Sequence, residues 1–152
     1  MPPKKKTRIL FLCTGNAARS QMAEALARLD HGDILDPVSA GSRPSGFVHP
    51  LANRAILELG GDMSSSYSKG TEQFMHEPFD IVVTVCDSAA ADCPSWPNAK
   101  RIEHWPIEDP SYGHDDPNTR YDRFVERRDE IRRRIDELVK TLDQNHPGVT
   151  AQ

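Results

Sequence analysis

The chain has 152 residues, a formal net charge of −4 and a sequence pI near 5.8. That length suits one domain with a real core, and the acidic balance offers no basic surface for nucleic acid; Lys4-Lys5-Lys6 marks residues 1–6 as a basic, disordered tail. No apolar run suffices for a signal peptide or a membrane span, and three cysteines without an export signal read as reduced thiols of a cytoplasmic protein.

Arg8-Ile-Leu-Phe-Leu-Cys13 predicts a strand that runs into a loop, Thr14 to Arg19, where Gly15 and Asn16 tolerate turn geometry. Ser20 then begins a helix with Met22, Leu26 and Leu29 on one face. A loop wrapping onto a helix N-terminus presents backbone N–H groups that lack intrahelical partners, and with the helix dipole they form a site for a tetrahedral oxyanion. Arg19 can grip two oxygens of such a group through its planar fork. Cys13, beside those dipoles, Arg19 and the Ser20 hydroxyl, is in a setting that favours the nucleophilic thiolate. The plainer alternative is a small buried hydrophobe at a strand end.

Ile34 to Ala40 predicts a second strand despite Pro37, and Ser42 to Pro50 a loop. Pro50 opens a helix with Leu51, Ala55, Ile56 and Leu59 on one face, stopped by Gly60-Gly61. Residues 62–78 are Ser-rich and mixed, with a helical turn or two around Thr71 to Met75. Phe79-Asp-Ile-Val-Val-Thr-Val85 is the clearest strand, since a β-branched run marks burial on both faces; Cys86 follows it. Arg101 to Trp105 is a weaker fourth strand. Thr119 to Leu142 is a long amphipathic helix carrying Tyr121, Phe124, Ile131, Ile135, Leu138 and Leu142 at helical period, and residues 143–152 are a polar C-terminal tail. Residues 7–142 thus make one α/β domain, a parallel sheet with helices on both faces and ligands at the carboxyl ends of the strands, where Cys13 and Cys86 both fall.

Cys13-Thr-Gly-Asn-Ala-Ala-Arg19-Ser20 resembles the phosphate-binding loop of the low-molecular-weight protein tyrosine phosphatase superfamily, which includes thioredoxin-coupled arsenate reductases. The resemblance implies a four-stranded sheet of order 2-1-3-4 and oxyanion contacts from Thr14, Gly15, Asn16, Ala17, Ala18, Arg19 and Ser20. In that order the strands ending at Cys13 and Cys86 are neighbours ~4.8 Å apart, so the two thiols come within bonding reach after modest movement. Val82-Val-Thr-Val-Cys86, then Cys93-Pro94 and Glu103-His104-Trp105, resemble the redox segment of the reductases, and ordinary phosphatases lack the cysteine pair. Read alone, Cys86 and Cys93 could be incidental. In a helix they would share a face but stand ~10 Å apart, so the segment must unwind for them to meet. Soft ligands for a closed zinc site are not spaced nearby. Glu108-Asp109-Pro110 matches the superfamily's general acid at Asp109, with Asp115 and Asp116 as local competitors.

The resemblance implies arsenate reductase chemistry. Cys13 attacks arsenate while Asp109 protonates the departing hydroxide, Cys86 takes over the sulfur, and Cys93 moves the disulfide outward for reduction by thioredoxin. The expected partners are arsenate or a similar oxyanion and thioredoxin, with no nucleic acid, no membrane and a monomeric chain. No tightly bound cofactor is expected, although Asn16, Glu24, Ser39 and Asp62 match positions that hold a monovalent cation such as potassium in some reductases. Two alternatives stay open. One is a phosphotyrosine phosphatase working through a Cys13 phosphoenzyme, for which Phe47 and Tyr112 suggest an aromatic wall; the other is a non-enzymatic oxyanion or redox sensor that binds a partner through the helix at 119–142.

Overall fold

A computed structural model describes residues 5–86, 96, 99–113 and 116–144; Cys93 lies outside them. The elements in chain order are β1 (Thr7–Cys13), α1 (Arg19–His31), β2 (Leu35–Gly41), α2 (Pro50–Leu57), a 3₁₀ turn at Thr71–Phe74, β3 (Phe79–Thr84), β4 (Ala99–His104) and α3 (Pro117–Gln144). All strands pair in parallel in the order β2-β1-β3-β4, as the family resemblance implies.

β1 is central, and Ile9 to Cys13 are all buried. Successive side chains of a strand point to opposite faces, so Ile9, Phe11 and Cys13 enter one core while Leu10 and Leu12 enter another. The larger core joins Ile81, Val83 and Val85 to Met22 and Leu26 of α1, Ile56 of α2, and Phe124, Ile131 and Ile135 of α3. On the opposite face Phe74 of the 3₁₀ turn and Trp96 stand edge-on to Phe79, with ring centroids 6.1 and 6.0 Å away. Burying each such side chain contributes about 1.5–3 kcal/mol, so the two faces together fix which strand is central. Pro37 fits because β2 is an edge strand and needs no ladder donor on its outer side.

α3 begins two residues before the expected Thr119 and reaches Gln144, two beyond Leu142. Its start is set by Asp116, whose Oδ1 accepts from the N–H of Asn118 (2.9 Å) and of Thr119 (3.0 Å), with Pro117 in the first turn. Asp116 is therefore committed to a helix cap. Among the described residues no helix is long and apolar enough to cross a membrane.

α2 carries an unusual cap. His49 Nδ1 accepts the N–H of Leu51 at 3.1 Å, which fixes the neutral ring with its proton on Nε2, and the ring stacks at 4.6 Å from Phe124. Burial, and then the positive charge of Arg120, hold the His49 pKa below the ordinary value of 6.5, with Asp109 opposing. The unfolded chain thus takes up this proton more readily than the folded one, and stability is lost as pH falls below that value. His49→Asn keeps a capping oxygen and removes the titration. The variant should lose less stability than the natural chain between about pH 7.5 and about pH 5.5, read as the urea midpoint at each pH.

Candidate active site

The loop from Cys13 to Ala18 is shaped by where its carbonyls go. Cys13 O accepts from Ser42 N (3.2 Å), Thr14 O from Arg43 N (2.8 Å), Gly15 O from Ser45 N (2.9 Å) and Ala17 O from His49 N (2.9 Å). Asn16 O accepts from Gln21 Nε2 (3.1 Å), and Ala18 O from Met22 N (2.8 Å). Six successive carbonyls are thus tied to the surrounding loop and helix. The N–H groups on the other side of those peptides turn toward a pocket of about 300 Å³ lined by Cys13, Thr14, Gly15, Ala17, Ala18, Arg19 and Asp109. α1 supplies the second half of the cradle. Its N-cap, Ala18, has no side-chain oxygen to cap the helix, so the positive end of the helix dipole faces the loop uncovered by a capping side chain.

Asn16 makes the turn, with φ of 48° in the left-handed region that Asn tolerates better than most residues. Its side chain is fully buried and uses every valence. Oδ1 accepts from Lys69 N and Gln21 Nε2, both at 2.9 Å, while Nδ2 donates to Ser20 Oγ (2.8 Å) and Ser39 Oγ (3.0 Å). Ser20 Oγ, which accepts that bond, also lies 2.8 Å from Cys13 Sγ, a hydrogen bond in which either atom can be the donor. Asn16 N–H reaches the same sulfur at 3.2 Å. The sulfur is thus held between a hydroxyl and a backbone N–H. Gly41, the residue paired with Cys13 in β2, lies beneath the loop; a Cβ there would stand 2.5 Å from Thr14 O. Only glycine fits.

Arg19 is nearly buried and oriented by a backbone carbonyl, its Nη1 donating to Ile107 O at 3.0 Å. Its Nη2 lies 3.9 Å from Asp109 Oδ2 at the pocket wall. Asp109 is held in turn by the N–H and hydroxyl of Ser111, which donate to Oδ1 at 2.9 and 2.6 Å. Asp109 borders the pocket, whereas Asp116 caps α3; Asp115 lies outside the described residues.

Cys86 stands one residue past the point where Val85 N donates to Leu12 O (2.8 Å), at the carboxyl end next to that of β1. Its Sγ is 3.9 Å from Leu12 O, its carbonyl accepts from Ile107 N (3.2 Å), and it is buried in the same core as Cys13. Neither cysteine is in a disulfide. Phe47 borders the pocket and, like Tyr112, is about half exposed; the Tyr112 hydroxyl bonds to Glu108.

Of the residues expected at a cation site, Asn16, Glu24 and Ser39 converge, with Ser39 Oγ donating to Glu24 Oε1 at 2.6 Å. Asp62 stands apart, exposed and capping the N–H of Ser64 at 2.9 Å. The position is taken instead by the ammonium of Lys69, 3.6 Å from Glu24 Oε1 and 3.5 Å from Ser39 Oγ. With that charge in place the donors do not fit a free monovalent cation, since the oxygens are bonded already and a second cation would meet the first. Lys69, Gln21, His49 and Gly41 have no chemical signature in the sequence. Their roles depend on contacts between segments such as 16 and 69.

The family model described as low molecular weight phosphotyrosine protein phosphatase matches residues 8–147. The arsenate reductase of Halalkalibacterium halodurans is 40% identical over 133 residues, which are 88% of this chain and 95% of that one. A solved arsenate reductase in the phosphate binding state superimposes with a TM-score of 0.75 at 28% identity, over 89% of this chain and 98% of that one. The thioredoxin-dependent arsenate reductase of Corynebacterium glutamicum gives a TM-score of 0.69 at 31% identity, over 92% of this chain and 63% of that one. The thiol in its cradle of amides, the arginine that closes the cradle and these likenesses agree: the chain belongs to the low-molecular-weight phosphotyrosine protein phosphatase family.

Proposed function

We propose that the protein is an arsenate reductase that uses Cys13, Cys86 and Cys93 in succession and is regenerated by a thioredoxin-like dithiol in the cytoplasm, where thiols stay reduced. The single observation that carries the reading is the second sulfur. A phosphatase needs only Cys13, Arg19 and Asp109, yet Cys86 is buried at the neighbouring strand end, its sulfur beside the last carbonyl before Cys13. The arsenate reductases among its relatives, one of them thioredoxin-dependent, favour the same chemistry.

Arsenate enters the cradle with its oxygens on the N–H groups of residues 14–19 and on the Arg19 guanidinium. The Cys13 thiolate attacks arsenic, an S–As bond forms, and hydroxide leaves as water with a proton from Asp109. Cys86 then attacks Cys13 Sγ. The S–S bond forms as the S–As bond breaks, and its electron pair stays on arsenic, which leaves as arsenite, reduced by two electrons. Cys93 attacks Cys86, Cys13 is released as thiolate, and the Cys86–Cys93 disulfide is reduced by exchange with the partner dithiol. Phosphate has no accessible lower oxidation state, so with a phosphoryl substrate the same first step ends in hydrolysis. The exposed Phe47 at the pocket edge favours an aryl phosphate as the substrate of that second reading.

Arsenite formation driven by thioredoxin and its reductase tests both. The natural chain should turn over continuously and Cys13→Ser not at all. Cys93→Ser should yield one arsenite per protein and stop, with a Cys13–Cys86 disulfide found by mass mapping; continuous turnover by this variant would remove the relay, and hydrolysis of aryl phosphate without arsenite formation would favour the phosphatase. Arg19→Lys replaces a two-pronged clamp by a point charge. It should lower kcat/KM for arsenate by about 10²-fold or more, measured in the same coupled assay.

A further inference from the structure

We infer that Lys69 is the resident cation of this oxyanion loop, a positioning residue that does the work of a bound monovalent ion and leaves the protein indifferent to potassium.

The inference starts from burial. Lys69 is only 8% exposed, although an ammonium is costly to remove from water unless its charge is answered. Its answer is Glu24, itself 8% exposed, whose Oε1 lies 3.6 Å from Nζ. The ammonium also donates to Tyr67 O at 3.1 Å and stands 4.8 Å from the centroid of the Tyr67 ring, so a carbonyl and a π-face complete its surroundings. Arg28 meets the other oxygen, Glu24 Oε2, at 2.8 Å, but its side chain is half exposed and screened by solvent.

This buried pair is connected to the nucleophile by a continuous chain of hydrogen bonds. Lys69 Nζ and Asn16 Nδ2 both donate to Ser39 Oγ, so the one hydroxyl proton of Ser39 goes to Glu24. Lys69 N donates to Asn16 Oδ1, which fixes the amide so that its NH₂ faces Ser20 and Ser39. Asn16 Nδ2 thereby holds Ser20 Oγ in place, 2.8 Å from Cys13 Sγ. The backbone of Lys69 is anchored as well, its carbonyl accepting from Gly41 N at 2.9 Å beneath the loop. Without a cation, the Glu24 carboxylate would be an under-compensated buried charge below a loop whose purpose is to hold anions. A free ion could fill the place, but its occupancy would follow its concentration. A tethered ammonium is present at every concentration.

The test separates the tethered cation from a structural filler. Thermal melting and the rate of Cys13 alkylation by iodoacetamide, with the adduct at Cys13 quantified by mass spectrometry, are measured in potassium chloride and in tetramethylammonium chloride at equal ionic strength. Neither readout needs arsenate, so failure here is distinct from failure of the proposed reaction. The natural chain should give the same values in both salts. Lys69→Ala, which opens a space beside Glu24, should melt roughly 5–10 °C lower in tetramethylammonium and alkylate several-fold more slowly, and potassium should restore much of both losses. Lys69→Met with Glu24→Gln removes both charges at similar volume and should show no difference between the salts, which keeps the question open to measurement if Lys69→Ala does not fold. A natural chain that responds to potassium over tetramethylammonium would overturn the inference. So would a Lys69→Ala chain that matches the natural one or is not rescued by potassium, or a double variant that still prefers potassium.

Discussion

The constraint on which the rest depends is the outward fastening of the carbonyls from Cys13 to Ala18. A peptide cannot turn its oxygen out without turning its N–H in, so tying six oxygens to the segments around the loop creates a concave row of donors with no ligand present. The fastenings come from the segment after β2 and from the start of α1, and the left-handed turn at Asn16 lets the chain close so tightly. A helix start without a capping side chain would weaken an ordinary helix by about 1 kcal/mol. Here the uncapped end borders the pocket instead.

The sheet order then sets a second thiol beside the loop. Parallel pairing of β1 with both β2 and β3 gives the strand ending at Cys13 two neighbours, Gly41 on one side and Val85-Cys86 on the other. The first admits the loop because it has no side chain to collide with Thr14 O. The second carries a thiol. Burial of both sulfurs in one core limits their access to bulk oxidants.

Much of this was legible in the sequence because it rests on local pattern. The β-branched run at 79–85, the apolar run before Cys13 and the helical period of α3 each state their element and face within a short window, and alternation of the elements dictates a parallel sheet. The start of α3 is harder to read, because Asp116, a rival acid by sequence, is a helix cap and Pro117 belongs to the first turn. The cation site was half legible. Asn16, Glu24 and Ser39 could be matched by position, but that Lys69 and not Asp62 completes the group depends on how residues 62–70 cross under the loop, a Ser-rich stretch without periodicity. His49 is similar: a histidine before a proline in a loop gives no hint that its ring caps a helix at the edge of the pocket.

Ile107 sits at the junction of the two halves of this site. Its N–H holds the Cys86 carbonyl and its own carbonyl holds the Arg19 guanidinium. The guanidinium at the pocket wall and the backbone that carries the second thiol therefore hang from adjoining peptide planes of one residue. A change of place at residue 86 is therefore felt at the guanidinium through a single residue.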